Sequence, residues 1–548
     1  MVSLNDVIYK LEHSLKPYFR IVKREFNGKH IYIETDRDKL PVAYDVLSEF
    51  DGRLIHVTAS DMGLAGIKLF HVYAFDHIDR YSHVILYVML SREDLKAPSL
   101  ASKTYQVNWA ERETSELLGI NFESHPDPRH IFLPFEWPNP VESTESTSEK
   151  VLVDRGNLLP LGPYHPALIE GGYFKFSVDG EDIVDVDIKV GFNHRGIMKL
   201  AESRSYWRNV FLVSRICGIC NICHVLAYLN AVERLFNVNV PLRAKYIRTL
   251  LAELNRIHSH VLWLGVAAEL IGFRTVFMWS FKIREPIQDC IELITGNRVH
   301  MDAAIIGGSR VDLTNETINK VESKLREFKN QFTKLIDIIY DHSMFRSRTE
   351  DIGILKLADA KNLGVVGPTA RASGWKIDVR KDSPYEAYGE DYTTWDIITD
   401  DGCDVFSRAL VRLKETLTSV DICLQCLDTL KRVNGKIIVE EPINIIDGET
   451  IGKSEAPRGE LFYYIYSDGS IIPHTVRIRT PSYRNIAALK HMLVGYRLSD
   501  APIIIGSVDP CYSCTDRVII VDVYKGKCLT INYNEFINFA KRGFVNVS

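Results

Sequence analysis

Two pairs of cysteines are the residues whose type and spacing best suit metal chemistry. Cys217 and Cys220 lie in RICGICNICH near the middle of the sequence, and Cys511 and Cys514 lie in DPCYSCTDR near its end. C-x-x-C spacing points two sulfurs at one ion, and four thiolates favour zinc, iron–sulfur, copper(I) or nickel sites. A compact structural zinc site keeps its ligand pairs close in sequence. Since these pairs can meet only across a folded domain, their spacing favours a catalytic centre.

The alternative interpretation is two unrelated pairs, each buried as small apolar residues. Cys423 and Cys426 show that spacing alone is insufficient, because they have the same spacing within the helical segment DICLQCLDTL. A pair three residues apart on a helix is more often part of a core, so we expect these two to be structural. The same expectation applies to the other four cysteines: Cys223, Cys290, Cys403 and Cys528.

Composition restricts the possible functions. The chain has 548 residues, 46% hydrophobic and 25% charged, so two or more domains with ordinary cores are expected. A net charge of −5 without a long basic run argues against nucleic acid as a partner. The charged N-terminal segment predicts no signal peptide, and the longest apolar run, VLWLGVAAELIGF, makes a poor membrane span. We therefore expect reduced cysteines in the cytoplasm.

Residues 1–137 are predicted to form a small α+β domain. Four segments alternate apolar and polar residues, which predicts antiparallel strands with one solvated face: HIYIET, RLIHVTAS, GIKLFHVYAF and SHVILYVML. A short helix is expected from Asn108 to Leu118. The stretch 138–150 is rich in Pro, Ser, Thr and Glu, which predicts a linker.

Residues 151–517 are predicted to form a mainly helical bundle flanked by β segments, which makes the fold class α+β. FKFSVDGEDIVDVDIKV predicts a hairpin with Gly180 in its turn. LFYYIYSDGSIIPHTVRIRT, APIIIGSV and VIIVDVYKGKCLTINY predict strands. Helical spacing of apolar residues marks five segments, of which the second is apolar on most faces, as a central helix requires: 200–235, 241–272, 280–298, 313–342 and 404–433.

The motifs R-x-C-G-x-C-x-x-x-H and D-P-C-x-x-C-x-x-R together resemble the large subunit of nickel–iron hydrogenases. WAERETSELLGINFESHPDPRHIF (109–132) resembles the 30-kDa subunit of respiratory complex I, and this fusion resembles the formate hydrogenlyase large subunit. Further segments resemble the group 4 hydrogenases, which are energy-converting, membrane-associated and related to complex I: GPYHPALIE (162–170), HRG (194–196), ELNRIHSH (253–260), GNRVH and IIGGSR (within 296–310), VVGPTARASG (365–374) and EAPRGE (455–460).

The resemblance implies a nickel ion bound by all four cysteines of the two motifs. Cys220 and Cys514 would also bridge to an iron that carries carbon monoxide and cyanide ligands. Electrons would come from a [4Fe–4S] cluster in a partner subunit resembling the 20-kDa subunit of complex I. Ion-pumping membrane subunits would hold the chain peripherally on the inner face of the cell membrane. Formate dehydrogenase and a maturation endopeptidase are further expected partners.

The resemblance also assigns roles around the diatomic ligands. Arg458 would lie over them and donate from its planar guanidinium to a cyanide nitrogen, whereas the alternative is a surface salt bridge with Glu455 or Glu460. Ser482 would donate to cyanide in the same way. Asp509 would pair with Arg458, and its alternative role is that of a turn-forming residue before a proline.

Glu170 matches the position of a proton-gate carboxylate, which would shuttle protons near a thiolate. The alternative is an exposed loop carboxylate before two glycines. His165 could line the proton exit. Three other histidines are expected at most to support the ligands: His224, His258 and His260.

Two positions depart from the family pattern. Met198 stands where many relatives have an acidic or amide residue, so a proton route through that position is not expected. Arg517 replaces a histidine of the uptake hydrogenases, and a divalent-ion site there is not assumed. We expect cleavage between Arg517 and Val518, which would remove residues 518–548 on maturation; the alternative is a permanent hairpin.

The sequence thus predicts a reversible, hydrogen-evolving nickel–iron hydrogenase subunit. The alternative is a complex I-type quinone oxidoreductase subunit of fused 30- and 49-kDa modules, against which the two cysteine pairs argue. A third interpretation is a scaffold with a structural zinc ion. The sequence has neither a P-loop nor a G-x-G-x-x-G motif, so nucleotide hydrolysis and dinucleotide-dependent hydride transfer lack their usual signatures.

Overall fold

The structure, a computed structural model, describes residues 3–133, 157–168 and 170–516 and two short strands at 521–522 and 527–528. The predicted linker at 138–150, Arg517 and most of the predicted extension 518–548 lie outside the described residues. The domain boundaries inferred from the sequence therefore stay predictions. The mixture of helices and sheets confirms the predicted α+β class.

Residues 3–133 form a five-stranded sheet covered by helices. The first helix begins with a capping box, in which the Ser3 hydroxyl accepts the Asp6 N–H and the Asp6 carboxylate accepts the Ser3 N–H. The elements are α1 (Leu4–Leu15), β1 (Arg20–Glu25), β2 (His30–Glu34), α2 (Leu40–Glu49), β3 (Arg53–Asp61), β4 (Ile67–Ala74), β5 (His83–Leu90), β6 (Lys96–Pro98), α3 (Asn108–Leu118) and β7 (Asn121–Glu123). Helix α3 has the predicted bounds.

The prediction of antiparallel strands with one solvated face is wrong in two respects. The sheet order is β1–β2–β5–β4–β3, and β2 pairs with β5 in parallel. Both faces are buried, one beneath α1 and α2 and the other where Tyr32 and Phe70 pack against Phe462 and Tyr464. Alternation along a strand separates its two faces, but it does not reveal that a distant part of the chain will cover the second face.

A three-stranded sheet and a helical bundle follow. The elements are β8 (Asn157–Leu161), β9 (Tyr173–Asp179), β10 (Asp182–Lys189), α4 (Ile197–Ala201), α5 (Tyr206–Ser214), α6 (Asn221–Leu235), α7 (Leu242–Leu270), α8 (Arg274–Thr295), β11 (Ala304–Ile305), β12 (Gly308–Ser309), α9 (Asn315–Tyr340), α10 (Ser343–Ser347), α11 (Leu357–Leu363), α12 (Pro368–Arg371), α13 (Val379–Asp382) and α14 (Val405–Leu430).

The bundle agrees with the predicted helical segments. Helix α7 is buried along most of its length and packs against α6, α8 and α14, which confirms the prediction of a central helix. The predicted hairpin is β9–β10, with Gly180 at a φ of 63° in its turn. The predicted segment 200–235 is interrupted between α5 and α6, and Cys217 lies in that interruption.

The C-terminal part returns to strands and short helices. They are β13 (Gly448–Ala456), β14 (Gly459–Ser467), β15 (Thr475–Arg479), α15 (Pro481–Ala487), α16 (Leu489–Leu493), α17 (Ala501–Ser507), α18 (Tyr512–Thr515), β16 (Val521–Asp522) and β17 (Lys527–Cys528). The strand predicted for APIIIGSV is wrong, because this segment forms α17. It is buried on nearly all sides, so it lacks the periodicity that separates strand from helix, and Pro502 suits a first helical turn.

Within the described ranges, none of the helices has both the length and the hydropathy required to cross a bilayer.

Candidate metal centre

The two cysteine pairs lie together in the interior. Cys220 immediately precedes α6, Cys511 immediately precedes α18, and Cys514 lies within α18. The Sγ atoms of Cys217 and Cys511 are 3.5 Å apart, and those of Cys220 and Cys514 are 3.6 Å apart. Each cysteine is at most 3% exposed. The alternative of two unrelated pairs is therefore wrong, and four sulfurs share one buried site.

The thiols of this cluster influence each other's protonation. Hydrogen bonds from Cys220, Cys511 and Cys514 hold the pKa of the Cys217 thiol well below its usual range. The pKa values of the other three are raised well above theirs, chiefly because each exchanges hydrogen bonds with neighbouring sulfurs. The four sulfurs therefore differ in how readily each loses its proton. A bound cation would drive further deprotonation, as at other thiolate metal sites.

Glu170 lies beside this cluster, at the boundary with solvent. Its carboxylate accepts the Ser513 N–H at 2.7 Å and the Ser513 hydroxyl at 2.8 Å, and Oε1 is 3.9 Å from Cys511 Sγ. It also lines a surface cavity of about 540 Å³ together with His165 and Asn193. The half-buried carboxylate therefore connects a sulfur to an open cavity, unlike a freely exposed loop residue.

Arg458 and Asp509 form a buried ion pair on another side of the cluster. Arg458 donates Nη2–H to the Asp509 carboxylate at 2.8 Å and Nε–H to the Asp509 carbonyl at 2.7 Å. Although burial opposes it, the charges of Asp509 and of the cysteines hold the pKa of Arg458 well above its usual range. The predicted alternative of a surface salt bridge is wrong, because Glu455 and Glu460 bind other arginines.

Ser482 is the fourth residue that the sequence placed near the sulfurs. It lies in α15, is completely buried, and its Oγ accepts the N–H of Cys511 at 3.0 Å. The hydroxyl hydrogen can therefore be directed towards another acceptor. Arg458 Nη1 is likewise a buried donor without a partner among the residues that the structure describes.

Three segments of the chain match known families. Residues 271–517 match the family described as the 49 Kd subunit of respiratory-chain NADH dehydrogenase, and residues 33–150 match its 30 Kd subunit. Residues 195–266, which include Cys217 and Cys220, match the nickel-dependent hydrogenase family.

Curated relatives decide between these families. Formate hydrogenlyase subunit 5 of Escherichia coli (strain K12) is 35% identical over 81% of this chain and 81% of its own length. The carbon monoxide-induced hydrogenase of Rhodospirillum rubrum is 39% identical over 66% of this chain and 99% of its own length. The chain belongs to the family of group 4 nickel–iron hydrogenase large subunits.

Some relatives that match most of this chain are not named as hydrogenases. An NADH-quinone oxidoreductase subunit of Aquifex aeolicus (strain VF5) is 31% identical over 90% of this chain and 98% of its own length. One chain in the solved structure of the membrane-bound sulfane sulfur reductase, an archaeal respiratory membrane complex, matches with a TM-score of 0.64 and 31% identity, covering 67% of this chain and 100% of its own. Function must therefore be argued from the site residues rather than from the fold.

In this hydrogenase large subunit, His224 lies closer to the cysteine cluster than the sequence indicated. Its Nε2 lies 3.5 Å from Cys514 Sγ, and its Nδ1 is 2.8 Å from the Tyr463 hydroxyl. Tyr463 belongs to the alternating pattern of β14, which gave no signal of a role at the site. By contrast, His258 interacts with Arg284, and His260 interacts with Glu415.

Arg195 joins the two cysteine loops, a role that sequence reasoning missed. Its guanidinium donates to the carbonyls of Arg215 at 2.7 Å, Ile216 at 2.6 Å and Ser513 at 2.9 Å. The available signal was its place in the HRG motif. Met198, in the same motif, is 1% exposed and belongs to the apolar core.

Among the other described cysteines, the four that lie in helices are buried, as the structural expectation requires. Cys423 and Cys426 are buried in α14, and Cys223 and Cys290 are also buried in helices. Cys403 is partly exposed, and the side chain of Cys528 lies outside the described residues.

Proposed function

We propose that this chain is the catalytic subunit that reduces protons to hydrogen at a nickel–iron centre. The observation that carries the proposal is the meeting of four buried sulfurs from the two C-x-x-C motifs. Thiolates are the ligands that suit nickel and iron. The surroundings also fit, since Arg458 Nη1 and the Ser482 hydroxyl are buried donors of the kind that carbon monoxide and cyanide ligands on iron require.

Each residue would have a distinct task. Cys217, Cys220, Cys511 and Cys514 would hold the nickel, and Cys220 and Cys514 would also hold the iron. The bound metal pair would supply electron and hydrogen exchange. Arg458 would hold the cyanide nitrogen, fixed by its two hydrogen bonds to Asp509.

Glu170 would carry the proton. The 3.9 Å separation of its Oε1 from Cys511 Sγ allows transfer to or from that sulfur after a small rearrangement. The carboxylate also borders the surface cavity, where water can deliver a proton to it during hydrogen evolution and remove one in the reverse reaction. His165, exposed on the same cavity wall, would line this exit.

Partners complete the reaction. Electrons would come from a [4Fe–4S] cluster in a small subunit resembling the complex I 20-kDa subunit, and ion-pumping membrane subunits would hold the complex on the inner face of the cell membrane. Formate dehydrogenase and a maturation endopeptidase are further proposed partners. The name of the first relative, a formate hydrogenlyase subunit, supports the assignment of formate as electron source.

Infrared spectroscopy with metal analysis of the purified complex tests this proposal. We expect one nickel per copy of this chain, one iron more than the partner-borne [4Fe–4S] cluster supplies, carbon monoxide and cyanide stretching bands, and hydrogen evolution from a reduced dye. One zinc per chain without these bands would instead support the structural scaffold.

A quinone oxidoreductase is the second candidate function, supported by the match to the NADH-quinone oxidoreductase of Aquifex aeolicus over nearly its full length. It requires no nickel. Quinone reduction by the nickel-free complex that retains its iron–sulfur clusters, with no hydrogen evolution, would support it.

The proposed maturation step concerns residues outside the described ranges. Cleavage between Arg517 and Val518 would leave a chain that ends three residues after Cys514. Intact-mass measurement of the active, nickel-loaded protein tests this step, and a retained 518–548 segment on such protein would refute it.

A further inference from the structure

Helix α15 connects the cysteine cluster to the N-terminal residues. On the cluster side, Ser482 accepts the Cys511 N–H, and Asn485 donates to the carbonyl of Arg458 at 3.2 Å. The two buried donors, Ser482 and Arg458, are therefore linked to one another through a single short helix. We call these two residues, with segments 457–460 and 481–485, the donor wall.

Residues before the predicted linker, some of them in the N-terminal sheet, hold the opposite side of α15. Arg484 is 4% exposed and donates to the carbonyls of Leu54, at 3.3 Å, and of Ile55 and Gln106. Tyr483 packs edge-on against Trp109, with ring centroids 5.6 Å apart. Each of these contacts joins the helix that carries Ser482 to residues before the predicted linker.

A second attachment reaches the segment that carries Arg458. Arg53, at the start of β3, donates Nη1–H and Nη2–H to the two carboxylate oxygens of Glu460, at 2.9 and 2.6 Å. Glu460 follows Arg458 by two residues. Behind them, a Cβ atom on Gly367 would lie 2.3 Å from the Arg458 carbonyl oxygen, so the backbones already touch. The Arg458 segment therefore has little room to shift.

We propose that the N-terminal domain is a brace for the donor wall, in which Arg53 and Arg484 are positioning residues that fix Arg458 and Ser482. The brace depends on the proposed function in one respect: the ligands that accept hydrogen bonds from the two donors are those of the proposed nickel–iron centre. Its physical basis is that donors must be held rigidly to favour one ligand geometry, and displacements near 1 Å at a site cost up to about a hundredfold in rate. The N-terminal domain thus acts on the centre without touching it.

The chain offers a matched control for this brace. Lys68, also on the N-terminal sheet, binds both carboxylate oxygens of Glu449 at 2.7 and 3.0 Å. The Lys68 and Arg53 side chains are similarly buried, at 13% and 14% exposure. However, Glu449 pairs with Tyr466 at the far end of the β13–β14 hairpin, whereas Glu460 lies near its turn beside Arg458.

The test compares Arg53→Met with Lys68→Met in the assembled, metal-loaded complex. We expect Arg53→Met to shift the cyanide stretching bands and to lower hydrogen evolution on the order of tenfold. Lys68→Met should leave both unchanged. In the metal-free chain, hydrogen–deuterium exchange should become faster in segments 457–460 and 481–487 for Arg53→Met only.

The outcomes separate the brace from the proposed function. Arg53→Met should fold, because Arg479 and Lys453 still face the Glu460 carboxylate, and Arg53→Lys serves as a milder second variant. If the wild-type complex shows no cyanide bands, the proposal of a nickel–iron centre is refuted. Hydrogen–deuterium exchange in the metal-free chain then tests the brace by itself. Unchanged exchange in Arg53→Met, or equal effects of Lys68→Met, would overturn the brace.

Discussion

The two sides of the cysteine cluster differ in their access to water. On the open side, half-buried Glu170 faces a cavity of about 540 Å³. On the donor wall, Arg458 and Ser482 are at most 3% exposed, and the N-terminal domain lies behind them. A proton carrier needs contact with water, whereas groups that orient a ligand need rigidity. The difference predicts which substitutions alter proton movement and which alter the ligand environment.

Substitution of a sulfur shared by both sides should have the largest effect. Cys511→Ser replaces a soft ligand with a hard one, so we expect loss of nickel and of hydrogen evolution to background. Cys223→Ser is the matched control, because Cys223 is buried nearby, 3.7 Å from Asn255 Oδ1, but outside the cluster. Metal content and gas evolution measure both. A nickel-loaded, active Cys511→Ser enzyme would contradict the proposed ligand set.

Removal of the Glu170 carboxylate tests the open side of the cluster alone. Glu170→Gln can still accept the Ser513 N–H but cannot carry a proton, so we expect turnover to fall by about 10²–10⁴. Nickel content and infrared bands should be unchanged. Tyr164→Phe, on the same cavity, is the control and should retain turnover. Full activity in Glu170→Gln would place the proton route elsewhere.

A substitution in the donor wall should have the opposite pattern. Arg458→Lys keeps the charge but loses the planar fork, so one group can no longer satisfy Asp509 and a cyanide ligand together. We expect shifted cyanide bands with nickel retained, and turnover reduced about tenfold. In the double variant with Glu170→Gln, the two losses should multiply, because the sides act independently. A strongly non-multiplicative result would show that the sides are coupled.

The smallest expected effect concerns acid stability near the open side. Burial, and then the charge of Arg195, lower the pKa of His194 to about 4. An unfolded histidine has a pKa near 6.5. The unfolded chain therefore binds more protons between these values, and stability is lost as pH falls through this window. We expect this histidine to account for about 3 kcal/mol between pH 7 and 4.

Thermal unfolding midpoints of wild type and His194→Gln across this range measure that contribution. The variant should lose less stability on acidification, whereas His165→Gln, which alters an exposed histidine, should match wild type. Parallel pH profiles for wild type and His194→Gln would contradict the assignment.

The sequence predicted the site better than its surroundings. Cysteine spacing anticipated that Cys217 and Cys511 would meet, and helical periodicity anticipated α3 and α7. The HRG motif marked Arg195 but did not reveal its contacts, because its partners are backbone carbonyls, which have no signature in the sequence. The second buried face of the N-terminal sheet and helix α17 were also missed, since both depend on tertiary packing that local patterns do not encode.

The position of Cys511 and Cys514 late in the chain sets an order of events during synthesis. A ribosome releases the N-terminal sheet and the central helices well before the final sulfur donors emerge. Cys217 and Cys220 therefore lack their partner sulfurs until the segment that carries Cys511 and Cys514 has been synthesised. Any metal delivered before Cys511 and Cys514 emerge would meet only half of its ligands, so productive loading must follow the synthesis of both cysteine pairs.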